Sequence, residues 1–165
     1  MSHDGKLQVT TPSDREIAMT RVFDAPRHLV YDAFTTPELV RRWLGVFGGW
    51  TMPVCEIDLR VGGTFRYVWR GPDDSTMGIQ GVYREIVPAE RIMNTERFDD
   101  AWYEGEAVGV VDFVERAGRT TVTTTVCYAS RAARDAVLRS PMASGVAAGY
   151  DALAGLLSTL TAEAR

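Results

Sequence analysis

The sequence contains few of the residues that metal centres and disulfide scaffolds require. It has two cysteines, Cys55 and Cys127, and two histidines, His3 and His28, among 165 residues. Two cysteines are too few for a disulfide framework and fit a reduced, cytoplasmic protein. Neither a Cys-x-x-Cys, a His-Glu-x-x-His nor a phosphate-loop pattern occurs. We therefore expect no metal site and no cofactor.

The chain also lacks an excess of positive charge and a long apolar run. Its 18 Lys and Arg residues stand against 22 Asp and Glu residues, which gives a net charge of −4. A mildly acidic chain without a basic stripe is a poor candidate for binding nucleic acid or an anionic membrane. No apolar run approaches the ~20 residues of a membrane-spanning helix, and the first residues lack the apolar region of a signal peptide. We expect no nucleic-acid partner, no membrane insertion and a cytoplasmic location.

The order of the predicted elements indicates one α+β domain over residues 15–165, preceded by a flexible tail over 1–14. A strand is predicted at 17–23, and Pro26 and Pro37 each begin a short helix because proline suits the first helical turn. From residue 50 to 128 apolar and polar residues alternate with period two between turn residues, which predicts an antiparallel meander. Within it, Gly62-Gly63 is typical of a two-residue hairpin.

A long helix is predicted over residues 141–162, after a short helix at 130–139. Its apolar residues recur every three or four positions and mark one buried face: Met142, Val146, Tyr150, Leu153, Leu157 and Leu160. Gly145 and Gly149 lie inside this helix, where glycine costs up to ~1 kcal/mol relative to alanine. Two interpretations stay open, namely close approach of the helix to the sheet and room left for a ligand.

Several local motifs, in this order, resemble the START-like (SRPBCC) superfamily and, within it, the family of homologues of the activator of heat-shock protein 90 ATPase. The matching segments are 20–26 (TRVFDAP), 30–35 (VYDAFT), 56–60 (EIDLR), 62–65 (GGTF), 81–86 (GVYREI) and 88–92 (PAERI), followed by Met142 and Gly145. The resemblance implies a helix-grip fold, in which a seven-stranded antiparallel sheet wraps around the C-terminal helix and often encloses an apolar cavity. Related branches bind lipids, sterols, polyketides or plant hormones, and some cyclise or aromatise polyketides.

The sequence departs from the family pattern at two tryptophans. Leu44 and Val146 stand where the family usually has Trp, so the resemblance implies a changed and enlarged pocket unless Phe47 or Trp50 fills the space. The heat-shock connection belongs to a eukaryotic co-chaperone with an additional N-terminal domain, and only about 14 residues precede the first predicted strand here. The family name therefore gives little support for chaperone activation or a role in the stress response.

Aromatic and small residues on the predicted inner faces form the candidate binding site. The predicted ligand-binding residues are Trp43, Phe65, Tyr67, Trp69, Gly81, Tyr83, Met93, Met142, Val146 and Tyr150. Ordinary core packing is the alternative for each of them, because aromatic side chains dominate core burial. The segment 99–105 is long for a hairpin, and it is interpreted either as a lid or as a solvated loop with a packed Trp102. No catalytic residue is assigned.

Three functions are weighed from these patterns. The leading hypothesis is binding of a small hydrophobic, lipid- or polyketide-like molecule between the sheet and the long helix, without catalysis. A cofactor-free cyclase or aromatase, with Tyr67 or Tyr83 positioning an enol or phenol, would need a buried titratable group on the cavity. A co-chaperone or protein-interaction module would need an exposed apolar patch. Domains of the family often self-associate, so a homodimer also stays open.

Overall fold

The computed structural model describes residues 5–164 of the chain. The strands are β1 (Gln8–Thr10), β2 (Glu16–Phe23), β3 (Thr51–Ile57), β4 (Thr64–Arg70), β5 (Thr76–Val87), β6 (Arg91–Phe98), β7 (Ala107–Arg116) and β8 (Arg119–Cys127). The helices are α1 (Arg27–Thr35), α2 (Pro37–Val40), α3 (Arg131–Leu138) and α4 (Met142–Glu163). None of these helices combines the length and apolarity needed to span a membrane.

All strands join one antiparallel sheet in the order β1-β2-β8-β7-β6-β5-β4-β3. The predicted α+β helix-grip architecture is confirmed, with eight strands where the family resemblance implies seven. The additional strand is β1, in which Val9 pairs with Met19 of β2. The tail predicted over residues 1–14 is therefore wrong for 8–10, while residues 1–4 lie outside the described part of the chain.

The two edges of the sheet are short or interrupted. At one edge, β1 has 3 residues. At the other edge, β3 contains Pro53, and its pairing with β4 shifts register between Thr51 and Val54. Proline has no N–H to donate, and for this reason it is confined to edge strands, strand starts and bulges.

The connection between β3 and β4 is a loop over residues 58–63, so the predicted two-residue hairpin at Gly62-Gly63 is wrong. The strand ends at Ile57, and the Gly62 N–H instead donates a 2.8 Å hydrogen bond to the carbonyl of Tyr83 in β5. Gly63 is required for a different reason, because a Cβ there would clash with the carbonyl oxygen of Asp58. Gly62 and Gly63 thereby continue the pairing of β4 with β5, and Val61 is left exposed.

The helices α1 and α4 pack against the concave face of the sheet through aromatic contacts. Phe113 of β7 is buried and makes edge-to-face contacts with Tyr31 and Phe34 of α1, with ring centroids 5.5 and 5.4 Å apart. In the same way, Phe23 of β2 contacts Tyr150 of α4 at 5.4 Å. These contacts lie in one continuous hydrophobic cluster that also contains Leu153, Leu156 and Leu157 of α4.

An ion pair between a buried arginine and an exposed aspartate supplements this packing. Arg21 of β2 is buried, and its Nη1 donates a 2.8 Å hydrogen bond to the carboxylate of Asp151 in α4. The Arg21 guanidinium also lies 5.1 Å from the ring centroid of Phe23. The central part of α4 is therefore held against β2 by charge as well as by apolar contact, whereas its first two turns lie over open space.

Candidate ligand cavity

A cavity of about 750 Å³ lies between the concave face of the sheet and the first two turns of α4. Strands β2 and β4 to β8 contribute side chains to its wall, as do α1, α2 and the segment that follows α2. Most of the wall is aliphatic or aromatic. The volume is in the range of about 300–1,000 Å³ that is usual for small-molecule sites.

Most of the residues predicted from the sequence meet in this wall: Trp43, Phe65, Tyr67, Trp69, Tyr83, Met142, Val146 and Tyr150. Gly81 and Met93 do not. A Cβ at Gly81 would clash with the carbonyl oxygen of Thr95 and would lie 2.8 Å from Cζ of Phe65, so the missing side chain makes room for β6 and Phe65 and not for a ligand. Met93 lies out of phase with Ile92 and Asn94, which line the cavity, and successive side chains of a strand point to opposite faces.

The positions that depart from the family pattern also line the cavity. Leu44 and Val146 are in its wall, as are Phe47 and Trp50, the aromatic residues considered as replacements for the missing tryptophans. Leu44 and Val146 therefore form part of the cavity surface. Replacing two tryptophans by these smaller side chains changes the shape of the site.

Two tryptophans are fixed by backbone hydrogen bonds. The Trp43 indole N–H donates to the carbonyl of Ala33 at 2.9 Å, and the Trp69 indole N–H donates to the carbonyl of Leu44 at 2.8 Å. Gly45 has a φ of 70°, and a Cβ there would lie 2.5 Å from the Trp69 indole nitrogen. This glycine is therefore needed both for its backbone conformation and for the close approach of Trp69. Groups of the protein itself therefore fix the position of both indole rings in the wall.

The two glycines of α4 have different surroundings. A Cβ at Gly149 would lie 3.5 Å from the carbonyl oxygen of Trp43, which is an ordinary van der Waals distance, so the helix would keep its position with alanine there. A Cβ at Gly145 would have nothing within 4 Å, and Gly145 lines the cavity. Gly145 fits the interpretation of room left for a ligand, whereas neither glycine has a strand residue within 4 Å of a built Cβ, as close approach to the sheet would require.

Glu96, the carboxylate found in the cavity wall, is not among the site residues predicted from the sequence. Glu96 lies in β6 in phase with Ile92, Asn94 and Phe98, all of which line the cavity. That period-two register was the signal available in the sequence. The Glu96 side chain is surrounded by protein atoms yet partly exposed on the cavity side, and this desolvation raises its pKa to about 7.

Two tyrosines lie close enough to Glu96 to feel its charge. Burial, and next the charge of Glu96, raise the pKa of Tyr103 to about 12, and the same two causes raise the pKa of Tyr128. The rings of Tyr103 and Tyr128 contact edge to face at 5.3 Å. The Tyr103 hydroxyl is buried and has no hydrogen-bond partner among the described residues. A buried hydroxyl without a partner costs stability, and a ligand would relieve that cost.

Further tyrosine hydroxyls lie in other parts of the wall. Tyr67 and Tyr83 interact through their hydroxyl groups, and burial raises the pKa of both. The Tyr150 hydroxyl lies 3.3 Å from the Thr124 hydroxyl. Cys55, next to Tyr67 and Tyr83, is buried, and this burial raises its pKa to about 11. It is therefore a thiol at neutral pH, and not a nucleophilic thiolate.

Exposed apolar side chains mark the mouth of the cavity. Phe47, Met77 and Trp102 all line the cavity, yet are 43%, 42% and 47% exposed. Trp102 belongs to the loop between β6 and β7 and packs on Phe98 with a centroid distance of 5.0 Å. At the start of that loop, Arg66 holds Asp99 through two hydrogen bonds of 2.6 and 2.7 Å. That this loop acts as a lid stays a prediction.

We expect the Glu96→Gln substitution to remove a pH-dependent part of the stability. A folded-state pKa of about 7, against an ordinary value of 4.5, favours the protonated carboxyl in the folded chain. The resulting stability is complete below pH ~4.5 and is lost as the pH rises through 7. Between about pH 5 and pH 8 the wild type should lose about 1–3 kcal/mol more than the variant, because water in the cavity reduces the full effect.

Urea unfolding of both proteins across this pH range measures the difference. Tyr67, Tyr103 and Tyr128, the titratable groups that interact with Glu96, stay neutral there, since burial raises the pKa of each. Glu104→Gln, at an exposed position of the neighbouring loop, is the control and should follow the wild type. Parallel curves for the wild type and Glu96→Gln would contradict the expected burial of this carboxyl.

No cluster of metal-ligating side chains occurs among residues 5–164. The site consists of an apolar, aromatic cavity with several tyrosine hydroxyls, one amide and one carboxylate. Such a set can hold a mostly apolar molecule, orient its polar groups and accept or donate a proton at Glu96.

Comparison with solved structures places the whole chain in one fold. A protein from Rhodobacter sphaeroides is 31% identical, with a TM-score of 0.87, over 93% of this chain and 98% of that one. A protein from Chromobacterium violaceum is 28% identical, with a TM-score of 0.73, over 88% and 98%. An HSP90 activator from Plasmodium falciparum shares the fold at 23% identity and a TM-score of 0.54, over 69% and 73%.

The family assignment rests on a match over most of the chain. No curated protein matches the sequence. The model of the family described as "Activator of Hsp90 ATPase homolog 1-like protein" matches residues 24–158. That span begins immediately after β2 and ends within α4, and so includes every strand and helix of the cavity wall except β2 and the last residues of α4. The resemblance drawn from the sequence is confirmed, and the chain belongs to this family.

Proposed function

We propose that the protein binds a small, mostly apolar molecule in the cavity between the sheet and α4. The observation that carries this proposal is a pre-built cavity of about 750 Å³ whose wall is largely aromatic and aliphatic. Apolar surface of this extent gains free energy when a ligand replaces water, at roughly 25 cal/mol per Å². The exposed Phe47, Met77 and Trp102 at the mouth give the ligand an apolar path of entry.

Membership of the family supports ligand binding without naming a ligand. The family and its superfamily include ligand-binding proteins and Hsp90 co-chaperones. The relative from Plasmodium falciparum is described as an HSP90 activator, and its likeness to this chain is one of fold. The exposed side chains of Phe47, Met77 and Trp102 belong to the cavity mouth, so their exposure favours a small molecule over a protein partner.

Native mass spectrometry of the full chain, purified from cells without detergent, tests the proposal. We expect a reproducible additional mass of a few hundred daltons that is lost on denaturation. Titration with the neutral dye N-phenylnaphthylamine, whose fluorescence rises in apolar surroundings, should in addition show saturable binding at one site. A bare chain that also fails to bind the dye would contradict the proposal.

A cyclase or aromatase-type activity is the second candidate, and one observation favours it. Glu96 is a buried titratable group facing the cavity, which the sequence analysis set as the condition for this function. A general base or acid works best with a pKa near the working pH. If the cavity is catalytic, wild type and Glu96→Gln should carry different bound masses from the same cells, namely product and substrate. Identical bound masses would favour binding alone.

A further inference from the structure

The one charged side chain among the described residues of the cavity wall is negative. Among the described residues that line the cavity, Glu96 is the carboxylate, and none is a lysine, arginine or histidine. A ligand that carries a carboxylate or phosphate would therefore meet no cation inside and would be repelled by Glu96. Free fatty acids and phospholipid headgroups are poor matches for this wall.

Glu96 is also without a partner inside the protein. The described residues provide no hydrogen bond and no salt bridge to its carboxylate, although Tyr103 and Tyr128 lie near enough for its charge to raise their pKa. A buried carboxylate is normally paired or hydrogen-bonded, because an uncompensated buried charge is costly. The buried Tyr103 hydroxyl, which is likewise unpaired, faces the same region. Two unpartnered polar groups at one place indicate that the ligand supplies the missing hydrogen-bonding group.

The aromatic rings beside Glu96 indicate which kind of hydrogen-bonding group the ligand carries. We call Phe98, Trp102, Tyr103 and Tyr128 the aromatic cluster, and each of them lines the cavity. Their rings form a chain of contacts with centroid distances of 5.0, 5.2 and 5.3 Å. Aromatic faces attract cations, and a set of them with a carboxylate suits an ammonium group. A neutral hydroxyl would satisfy Glu96 but gain little from the rings.

We propose that the cavity selects an apolar molecule bearing a protonated amine, with the ammonium group hydrogen-bonded to Glu96 and packed against the aromatic cluster. The proposal rests on the ligand-binding function above and specifies the chemical class of the ligand. The rest of the molecule would fill the part of the cavity lined by Trp43, Val146 and Tyr150, which contains no charged group.

Three probes of equal size and different polar groups test this proposal: naphthylethylamine, naphthylethanol and naphthylacetic acid. The amine should bind about tenfold to a hundredfold more tightly than the alcohol, and the acid more weakly still, as expected for a hydrogen bond to a charged partner. In Glu96→Gln this preference for the amine should disappear while binding of the alcohol is retained. Glu104→Gln is the control and should bind all three probes as the wild type does.

Calorimetry gives a second measurement that a purely structural role for Glu96 would not affect. At pH 7 about half of the Glu96 side chains are protonated, since the pKa is about 7. An ammonium group favours the ionised form, so amine binding should release up to about half a proton. The measured heat should then depend on the ionisation enthalpy of the buffer in the wild type and not in Glu96→Gln.

The possible results test the amine proposal and the proposed ligand-binding function separately. Equal binding of amine and alcohol in the wild type, tighter binding of the acid, or an amine preference that survives in Glu96→Gln would overturn the amine proposal and leave apolar ligand binding intact. Failure of all three probes together with N-phenylnaphthylamine would overturn the proposed function and the amine proposal with it. Thermal unfolding confirms that the variant is folded, as expected when a buried carboxyl is replaced by a neutral group of equal size.

Discussion

Replacing Gly145 with phenylalanine is expected to weaken ligand binding at least about tenfold without loss of stability. Gly145 lines the cavity, and a Cβ there would have nothing within 4 Å, so the new ring enters the space that the ligand needs. A loss of about 1.4 kcal/mol of binding free energy already corresponds to tenfold in affinity. Helix propensity favours the change, since glycine is the least favourable ordinary residue inside a helix. Titration with N-phenylnaphthylamine measures the affinity.

Gly155 provides the matched control for this substitution. It lies in the same helix, is exposed, and also has nothing within 4 Å of a built Cβ. Gly155→Phe should therefore change helix propensity equally while leaving the affinity for the dye unchanged. Equal affinities of Gly145→Phe and the wild type would show that the ligand does not use this part of the cavity.

The Phe113→Ala substitution is expected to cost about 3–5 kcal/mol of unfolding free energy. Phe113 is 2% exposed and carries the edge-to-face contacts of β7 with Tyr31 and Phe34 of α1. Truncation removes the buried ring, leaves a void in a densely packed region and also loses the aromatic contacts. Urea unfolding at fixed pH, followed by circular dichroism, measures the loss.

The neighbouring residue separates this effect from strand propensity. Val114 is 49% exposed on the opposite face of β7, and Val114→Ala should cost less than about 1 kcal/mol. If Phe113→Ala cost no more than Val114→Ala, α1 would not depend on this contact for its position. The packing described for the helix-grip core would then be wrong in its central feature.

The fold was largely predictable from the sequence because its elements have strong periodic patterns. The α4 face around Tyr150 and Leu153 and the alternation in β4 follow directly from periods of 3.6 and 2. The predictions of two features were wrong for identifiable reasons. Strand β1 has 3 residues and gains its pairing from β2, which a local pattern does not contain. The Gly62-Gly63 pair does not form a tight turn, because its conformation depends on a hydrogen bond to Tyr83 of a different strand.

The apolar wall of the site was predictable from the sequence, but its carboxylate was not. Aromatic residues such as Trp43 and Tyr67 predict an apolar interior. In the strands, the alternation of apolar and polar residues indicates the face on which the aromatic side chains lie. Glu96 was passed over because a glutamate between two charged or polar neighbours in β6 resembles the solvated side of a strand. Whether it meets bulk water or a cavity depends on the elements that cover this face of the sheet, among them α4, which begins more than 40 positions further along the chain.

The edges of the sheet bear on how copies of the chain meet. An exposed, regular edge strand is a template for further strands, and long flat edges lead to domain swapping and fibrils. Here β1 presents 3 residues, and β3 presents a proline and a register shift. Neither edge provides an uninterrupted ladder of donors and acceptors. Open-ended strand addition between copies is therefore opposed at both ends of the sheet, and a homodimer would have to be built from side-chain surfaces.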